Sequence, residues 1–161
     1  MGVRRDRLWS WAIVGVVILI AVVIMSVFLS LSVPRVNLRL GDGIFKTTLA
    51  ISDNERQRGL SGRSGLDSGE AMLLIFERDD KWPIWMKDMH FAIDIIWINS
   101  DNEVVHIVKN ARPESYPDRQ FAPRSAAKYV LEVPAGTVAE RNIRVGNVAK
   151  FDLSQRLGIF E

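Results

Sequence analysis

The sequence predicts an α+β domain dominated by β-structure, with a mainly antiparallel, partly closed barrel-like sheet, two short helices and one transmembrane helix in front. Three observations carry that expectation. Short apolar runs bounded by Gly, Asn, Asp and Pro recur from residue 36 onward, the pattern of successive strands and tight turns. Helix-start signals are few and open short segments. Residues 8–33 hold no Asp, Glu, Lys or Arg.

The N-terminal run comes first. A spanning helix needs roughly 20 apolar residues, whereas the apolar core of a cleaved signal has about 7–15. Ser30-Leu31-Ser32-Val33 is a poor small-residue cleavage site, so an uncleaved anchor is expected. Arg4, Arg5 and Arg7 precede it, which by the positive-inside rule leaves the N-terminus in the cytoplasm. The expected organisation is a basic cytoplasmic segment over 1–7, a transmembrane anchor over 8–33, one extracytoplasmic domain over 34–153 and a tail over 154–161. The membrane is then a partner, and the location is single-pass in the inner membrane with the domain in the periplasm or outside.

The domain follows as a series of strands. Residues 36–40 alternate, Gly41-Asp42-Gly43 turns, and 44–51 return as a hairpin. Ser52 followed by Glu55 is a capping box that opens a helix of about two turns ending by Gly59. Four glycines and three arginines crowd residues 56–69 without the Gly-Lys-Ser/Thr of a phosphate-binding loop. A turn-rich connector is the plain interpretation, and an anion cradle of backbone N–H groups with Arg58 and Arg63 is the sharper one. Residues 71–76 form a buried strand, 91–98 a second and 104–108 its hairpin partner. Residues 111–127, with Pro113, Pro117 and Pro123, form a long loop, a type often functional. Strand 128–133, a helix at Thr137 with Glu140 as a second capping box, and a closing strand over 148–153 complete the domain.

Composition excludes several classes of function. The chain carries 21 basic and 19 acidic residues. Setting aside the three arginines and one aspartate of residues 1–33 leaves eighteen of each. The basic tilt therefore belongs to the N-terminus and gives no support for nucleic-acid binding, which needs a basic face. Without cysteine there is no disulfide, thiol nucleophile or cysteine zinc site. Two histidines, His90 and His106, are too few for a metal centre without well-placed carboxylates, so no metal and no cofactor is expected. Gly62-Arg63-Ser64-Gly65 lacks the spacing of a nucleophile elbow.

The chemistry concentrates in residues 82–98, which hold three of the five tryptophans and one of the two histidines. Phe91, Ile93, Ile95 and Trp97 point one way. Ala92, Ile96 and Ile98 point the other, with Asp94 as the one charge among them. A strand apolar on both faces is covered on both sides, and a carboxylate there is expensive unless partnered. Lys87 is the nearest basic candidate, and Arg58 or Arg63 serve if the connector folds back. Trp97 is assigned to the core. Trp82 and Trp85 sit beside charges and a proline, and one of the two is expected at a rim for stacking. Asp88 and Asp94 flank the aromatic cluster as a possible acid–base pair.

Several motifs in order resemble a known family. They are Arg58-Gly59-Leu60 with Arg63, the strand 72–76, Trp85-Met86-Lys87-Asp88-Met89, Ile93-Asp94-Ile95-Ile96, and Ala127-Lys128-Tyr129 continuing to Pro134-Ala135-Gly136. Over about residues 36–152 the chain resembles domain of unknown function 192, a prokaryotic family of small β-rich domains often behind a signal or anchor. The resemblance implies the fold class and supplies no reaction. Three positions depart from the family pattern. Ala92 stands where a proline is usual, Asp88 where asparagine is common, and Gly146-Asn147 where the family has Gly-Asp.

The expected function is a membrane-anchored extracytoplasmic domain that binds a small ligand or envelope partner in a cleft near residues 82–94, without catalysis. The candidate contacts are Arg58, Arg63, Trp85, Lys87, Asp88 and Asp94. The rival interpretations are an envelope hydrolase using Asp88 or Asp94, and a purely structural envelope module.

Overall fold

The structure, a computed structural model, describes residues 14–23 and 35–154. The chain divides into two units, Met1–Val33 and Pro34–Glu161. In the first, residues 14–23 are helical with exposed side chains. Such a stretch rises about 15 Å, half of the roughly 30 Å hydrocarbon layer. Among the described residues no helix is long and apolar enough to cross a membrane. This corrects the expected transmembrane helix, and with it the membrane as partner and the single-pass inner-membrane location. The rest of that expected span, 8–13 and 24–33, lies outside the described residues, as do the preceding arginines and all but the first residue of the expected tail.

The second unit is built on six strands. In chain order these are β1 (Arg35–Leu40), β2 (Gly43–Ala50), helix α1 (Asp53–Arg58), β3 (Glu70–Asp80), β4 (Ile93–Ile98), β5 (Val104–Ala111), a 3-10 turn at Pro113–Ser115, β6 (Ala127–Pro134) and helix α2 (Thr137–Glu140). They form one sheet in the order β1-β2-β3-β6-β4-β5. The expected mainly antiparallel, partly closed barrel is corrected on two counts. The sheet is mixed, because β2 and β3 pair in parallel. Helix α1 and the glycine-rich connector carry the chain back to the starting end of β2, as a parallel pair requires. The sheet is also open. The expected closing strand is two isolated bridges, Glu103 to Val148 and Arg39 to Lys150. One segment thus touches both outer regions of the sheet without a strand to join them.

Local signals explain most elements. Gly41 adopts φ +55° in the β1–β2 turn, and a Cβ there would lie 2.3 Å from the Arg141 carbonyl oxygen, so this turn needs glycine. At α1, Ser52 Oγ accepts the Glu55 N–H at 3.4 Å, and Glu55 Oε2 accepts the Ser52 N–H at 2.8 Å and the Ile51 N–H at 2.9 Å. Those donors hold the Glu55 carboxyl below its ordinary pKa, the Ser52 backbone first. Helix α2 differs from its expected capping box. Its N-cap is Gly136 at φ +93°, with no side-chain cap, and Thr137 is a buried first residue.

All six residues of β4 are buried, and its two faces enter two cores. Ile96 and Ile98 join Leu38, Phe45, Leu73, Leu131, Val133 and Val138 on one side. Ile93, Ile95 and Trp97 join Leu60, Met72, Leu74, Ile84, Met86, Met89 and Val130 on the other. The second face is covered by the connector and by the 82–90 loop, and the cleft lies there.

Candidate functional site

Trp97 anchors the loop that forms one wall. It is fully buried, and its indole N–H donates to the Trp82 carbonyl at 3.0 Å. Trp82 stacks on Phe76 with ring centroids 4.3 Å apart and planes 7° from parallel. The loop is then stitched to the connector. Ser61 Oγ donates to the Lys87 carbonyl at 2.7 Å, and Gly62 N–H to the Asp88 carbonyl at 2.8 Å. Asp88 sits at φ +53°, a left-handed conformation that Asn and Asp tolerate better than most residues. That accounts for Asp88 at a position where the resembling family commonly has asparagine.

Between α1, the connector and this loop opens a cleft of about 260 Å³. Leu60, Leu74, Phe76, Pro83, Ile84 and Met89 supply its apolar walls, Trp85 stands at it 40% exposed, and Gln120 reaches it from the 111–127 loop. Phe121 and Ile84 exchange backbone hydrogen bonds at 2.8 Å, which ties that long loop to the residue beside Trp85.

Glu132 is the remaining wall residue of chemical interest. It stands on β6 opposite Met72 of β3 and Ile95 of β4, so apolar neighbours flank it on both strands. It is 5% exposed, and its Oε2 has no hydrogen-bond partner among the described residues. Burial pushes its carboxyl up to about 7, while the Arg63 charge pulls the other way. A carboxyl that ordinarily ionises near 4.5 is here poised to exchange a proton at neutral pH. The site candidates read from the sequence do not include it. Between Leu131 and Val133 it has the alternation of a solvent-facing residue, and nothing local shows that both of its flanking strands are interior.

Two arginines of α1 line the same cleft, and they differ. Arg56 is spent on the fold: it donates to the Ile51 carbonyl, to the Ile75 carbonyl at 2.8 Å and to Asp53, and its guanidinium lies 5.2 Å from the Phe76 ring centre. Arg58 is exposed and makes no side-chain hydrogen bond or ion pair with the described residues.

Of the residues expected at the site, Arg58 and Trp85 line the cleft. Arg63 is half-buried and acts on Glu132 through its charge, without lining the cleft. Lys87 and Asp88 are exposed and contribute backbone carbonyls to the loop. Asp94 lies on the opposite face of the sheet, paired in register with Val133 and 1% exposed. Its partners are not Lys87, Arg58 or Arg63. Oδ1 accepts the Asn110 N–H at 2.8 Å and Oδ2 the Val138 N–H at 2.9 Å. Asp88 and Asp94 are therefore not brought together as an acid–base pair in this cleft. Among the described residues no group of three His, Cys, Asp or Glu is clustered as a metal site.

These features define a small mixed-sheet domain with a cleft walled by apolar and aromatic side chains and holding a buried acid. By sequence the chain belongs to domain of unknown function 192, a family described as an uncharacterized ACR, whose model matches residues 36–151. A protein named only as a UPF0127 protein from Thermococcus gammatolerans is 30% identical over 108 residues, 67% of each chain. Its counterpart from Thermococcus sibiricus is 29% identical over 101 residues, 63% of this chain, and the match spans 62% of that protein's length. Two crystal structures share the fold. A Sinorhizobium meliloti 1021 protein described as a candidate transcription regulator matches at TM-score 0.71 and 27% identity, covering 75% of this chain and 96% of that one. A protein of unknown function from Novosphingobium aromaticivorans matches at TM-score 0.66 and 26% identity, over 73% and 84%.

Proposed function

We propose that residues 34–153 form a domain that binds a small ligand in the cleft between α1 and the 82–90 loop, without catalysis. One observation carries the reading: a buried carboxyl of Glu132 faces a formed cleft and lacks a partner for Oε2 among the described residues. An orphaned buried polar atom costs on the order of 1–3 kcal/mol or more, and a ligand in the cleft would supply the missing bond. Pockets that bind small molecules combine apolar and aromatic walls with a few convergent polar groups, as Trp85, Phe76, Arg58 and Glu132 do here. A volume of about 260 Å³ falls below the roughly 300–1,000 Å³ usual for drug-sized ligands, so the ligand is small. Arg63 modulates Glu132 in this reading, and Lys87 and Asp88 shape the loop. The hydrolase alternative loses support, because Asp94 is buried on the other face with both oxygens occupied. The regulator description of the Sinorhizobium protein does not carry over, because residues 34–161 have no excess of basic charge for a phosphate backbone.

A fragment screen by ligand-observed NMR on the full chain tests this. Hits are expected to lose binding in Trp85→Ala and to be displaced by one another. A screen without hits, or hits indifferent to both Trp85→Ala and Phe76→Ala, would defeat the reading.

A further inference from the structure

We propose, on the ligand-binding reading above, that the cleft takes an amphoteric molecule of amino-acid size, its ammonium directed to Glu132 and its anionic group to Arg58. Among the charged residues lining the cleft, Asp53 and Arg56 pair with each other, and the two left without partners among the described residues are of opposite sign. Glu132 is buried with Oε2 unsatisfied, and Arg58 is an exposed wall residue whose guanidinium is unengaged among the described residues. Arg56 is not the candidate for the second role, because its charge is paired with Asp53 and three of its donors go to Asp53 and to the Ile51 and Ile75 carbonyls.

An ammonium suits Glu132 better than a hydroxyl. A hydroxyl supplies a donor and leaves a bare charge in an apolar setting, whereas an ammonium supplies donors and neutralises the charge at once. The exposed end of the ligand then meets a planar guanidinium, the group best matched to a carboxylate or phosphate. Beside that charged pair, Leu60, Leu74, Phe76, Ile84 and Met89 ask for an apolar side chain. The charged groups around Glu132 are Asp53, Arg56 and Arg58 from α1 and Arg63 from the connector. Its strand neighbours Met72, Leu74 and Ile95 bear no charge. Among the described residues no cation bonds to Glu132, so a cationic ligand displaces none of them.

Binding an ammonium stabilises the ionised form of Glu132 and lowers its affinity for a proton. At pH 7, where the free carboxyl is about half protonated, ligand binding is expected to release roughly half a proton. The experiment is calorimetry on the full chain with a matched series: L-phenylalanine, 2-phenylethylamine, 3-phenylpropanoate and 3-phenylpropanamide. L-phenylalanine is expected to bind at least about tenfold more tightly than the others, with heats that depend on the ionisation enthalpy of the buffer. Glu132→Gln should weaken L-phenylalanine and the amine, abolish the proton release and leave the propanoate unchanged. Arg58→Gln should weaken L-phenylalanine and the propanoate and spare the amine. The amide binding as tightly as L-phenylalanine, with Glu132→Gln without effect, would overturn the amphoteric class. If all four fail while the fragment screen finds cleft ligands, the class is wrong and the binding reading stands. If both fail, the binding reading falls as well.

Discussion

Asp94 Oδ2 accepts the backbone N–H of Val138, 44 residues further along the chain, at 2.9 Å. The same carboxylate takes the Asn110 N–H at 2.8 Å, so one buried side chain ties β4 to the end of β5 and to the start of α2. Gly136 offers α2 no side-chain cap, and Asp94 supplies from across the sheet what a local cap supplies elsewhere. Asp94→Asn keeps one acceptor and turns an amide donor toward an N–H. A loss of about 1–3 kcal/mol is expected, with Asp94→Leu at least as damaging because the buried Val138 N–H and the part-buried Asn110 N–H then both lose their acceptor. Urea denaturation of the three proteins measures this. A change below about 0.5 kcal/mol for Asp94→Asn, the scatter of neutral surface substitutions, would show that the tie is not stabilising.

Glu132 couples stability to pH in the opposite sense to an ordinary partnered carboxylate. Its folded pKa is raised from 4.5 to about 7, so between those values the folded chain keeps a proton that the unfolded chain has lost. Stability from this residue is therefore greatest below pH 4.5, falls as pH rises through the window and is level above about 7. The full change is on the order of 3 kcal/mol at 1.36 kcal/mol per unit. Glu132→Gln, a near-isostere without the titration, is expected to flatten this part of the profile and to be more stable than the parent at pH 8. Melts of both proteins at pH 5 and pH 8 check it, because the other groups cancel in the comparison. Parallel profiles would mean that Glu132 is ionised or solvated throughout.

The features readable from sequence were those fixed by near neighbours. The Gly41-Asp42-Gly43 turn, the Ser52–Glu55 capping box and the two apolar faces of β4 are each written within a few residues, and each is found in the structure. Trp97, expected in the core, is fully buried. What failed was set by distant pairing. Nothing in residues 44–50 or 70–80 alone dictates that β2 and β3 run parallel, since that follows from where the connector returns the chain. The insertion of β6 between β3 and β4 is likewise non-local. It buries Glu132, whose alternation with Leu131 and Val133 suits a half-exposed strand equally well. Asp94 was recognisable as a carboxylate needing partners, but backbone N–H groups are invisible in a side-chain pattern.

Helix α1 presents Arg56 and Arg58 to the cleft, and its start rests on the Ser52–Glu55 box. At six residues it is too short to stand on helix propensity alone. Ser52→Ala removes the acceptor for the Glu55 N–H and a donor to the Glu55 carboxylate. The expected loss is about 1 kcal/mol, with faster amide exchange confined to α1 and the adjoining connector. Uniform protection across α1 in the Ser52→Ala protein would show that the tertiary contacts of Arg56 suffice without the cap.

Trp85 and Trp97 provide an internal contrast between a residue held for the site and one held for the fold. Trp97 is fully buried with its indole N–H bonded to the Trp82 carbonyl, whereas Trp85 is 40% exposed and has no hydrogen bond or aromatic pair with the described residues. Trp97→Ala removes a large core side chain and the donor to the Trp82 carbonyl, for an expected loss of about 3–5 kcal/mol. Trp85→Ala removes a wall of the cleft that is already partly in water, and its loss should stay within about 1 kcal/mol. Ligand binding should follow the reverse order: abolished or weakened at least tenfold in Trp85→Ala, and retained in whatever fraction of Trp97→Ala remains folded. Intrinsic fluorescence gives the same answer independently, since quenching on ligand addition should vanish with Trp85. A Trp85→Ala protein destabilised as much as Trp97→Ala would place Trp85 among the packing residues, and the cleft would lose its aromatic wall as a recognition element.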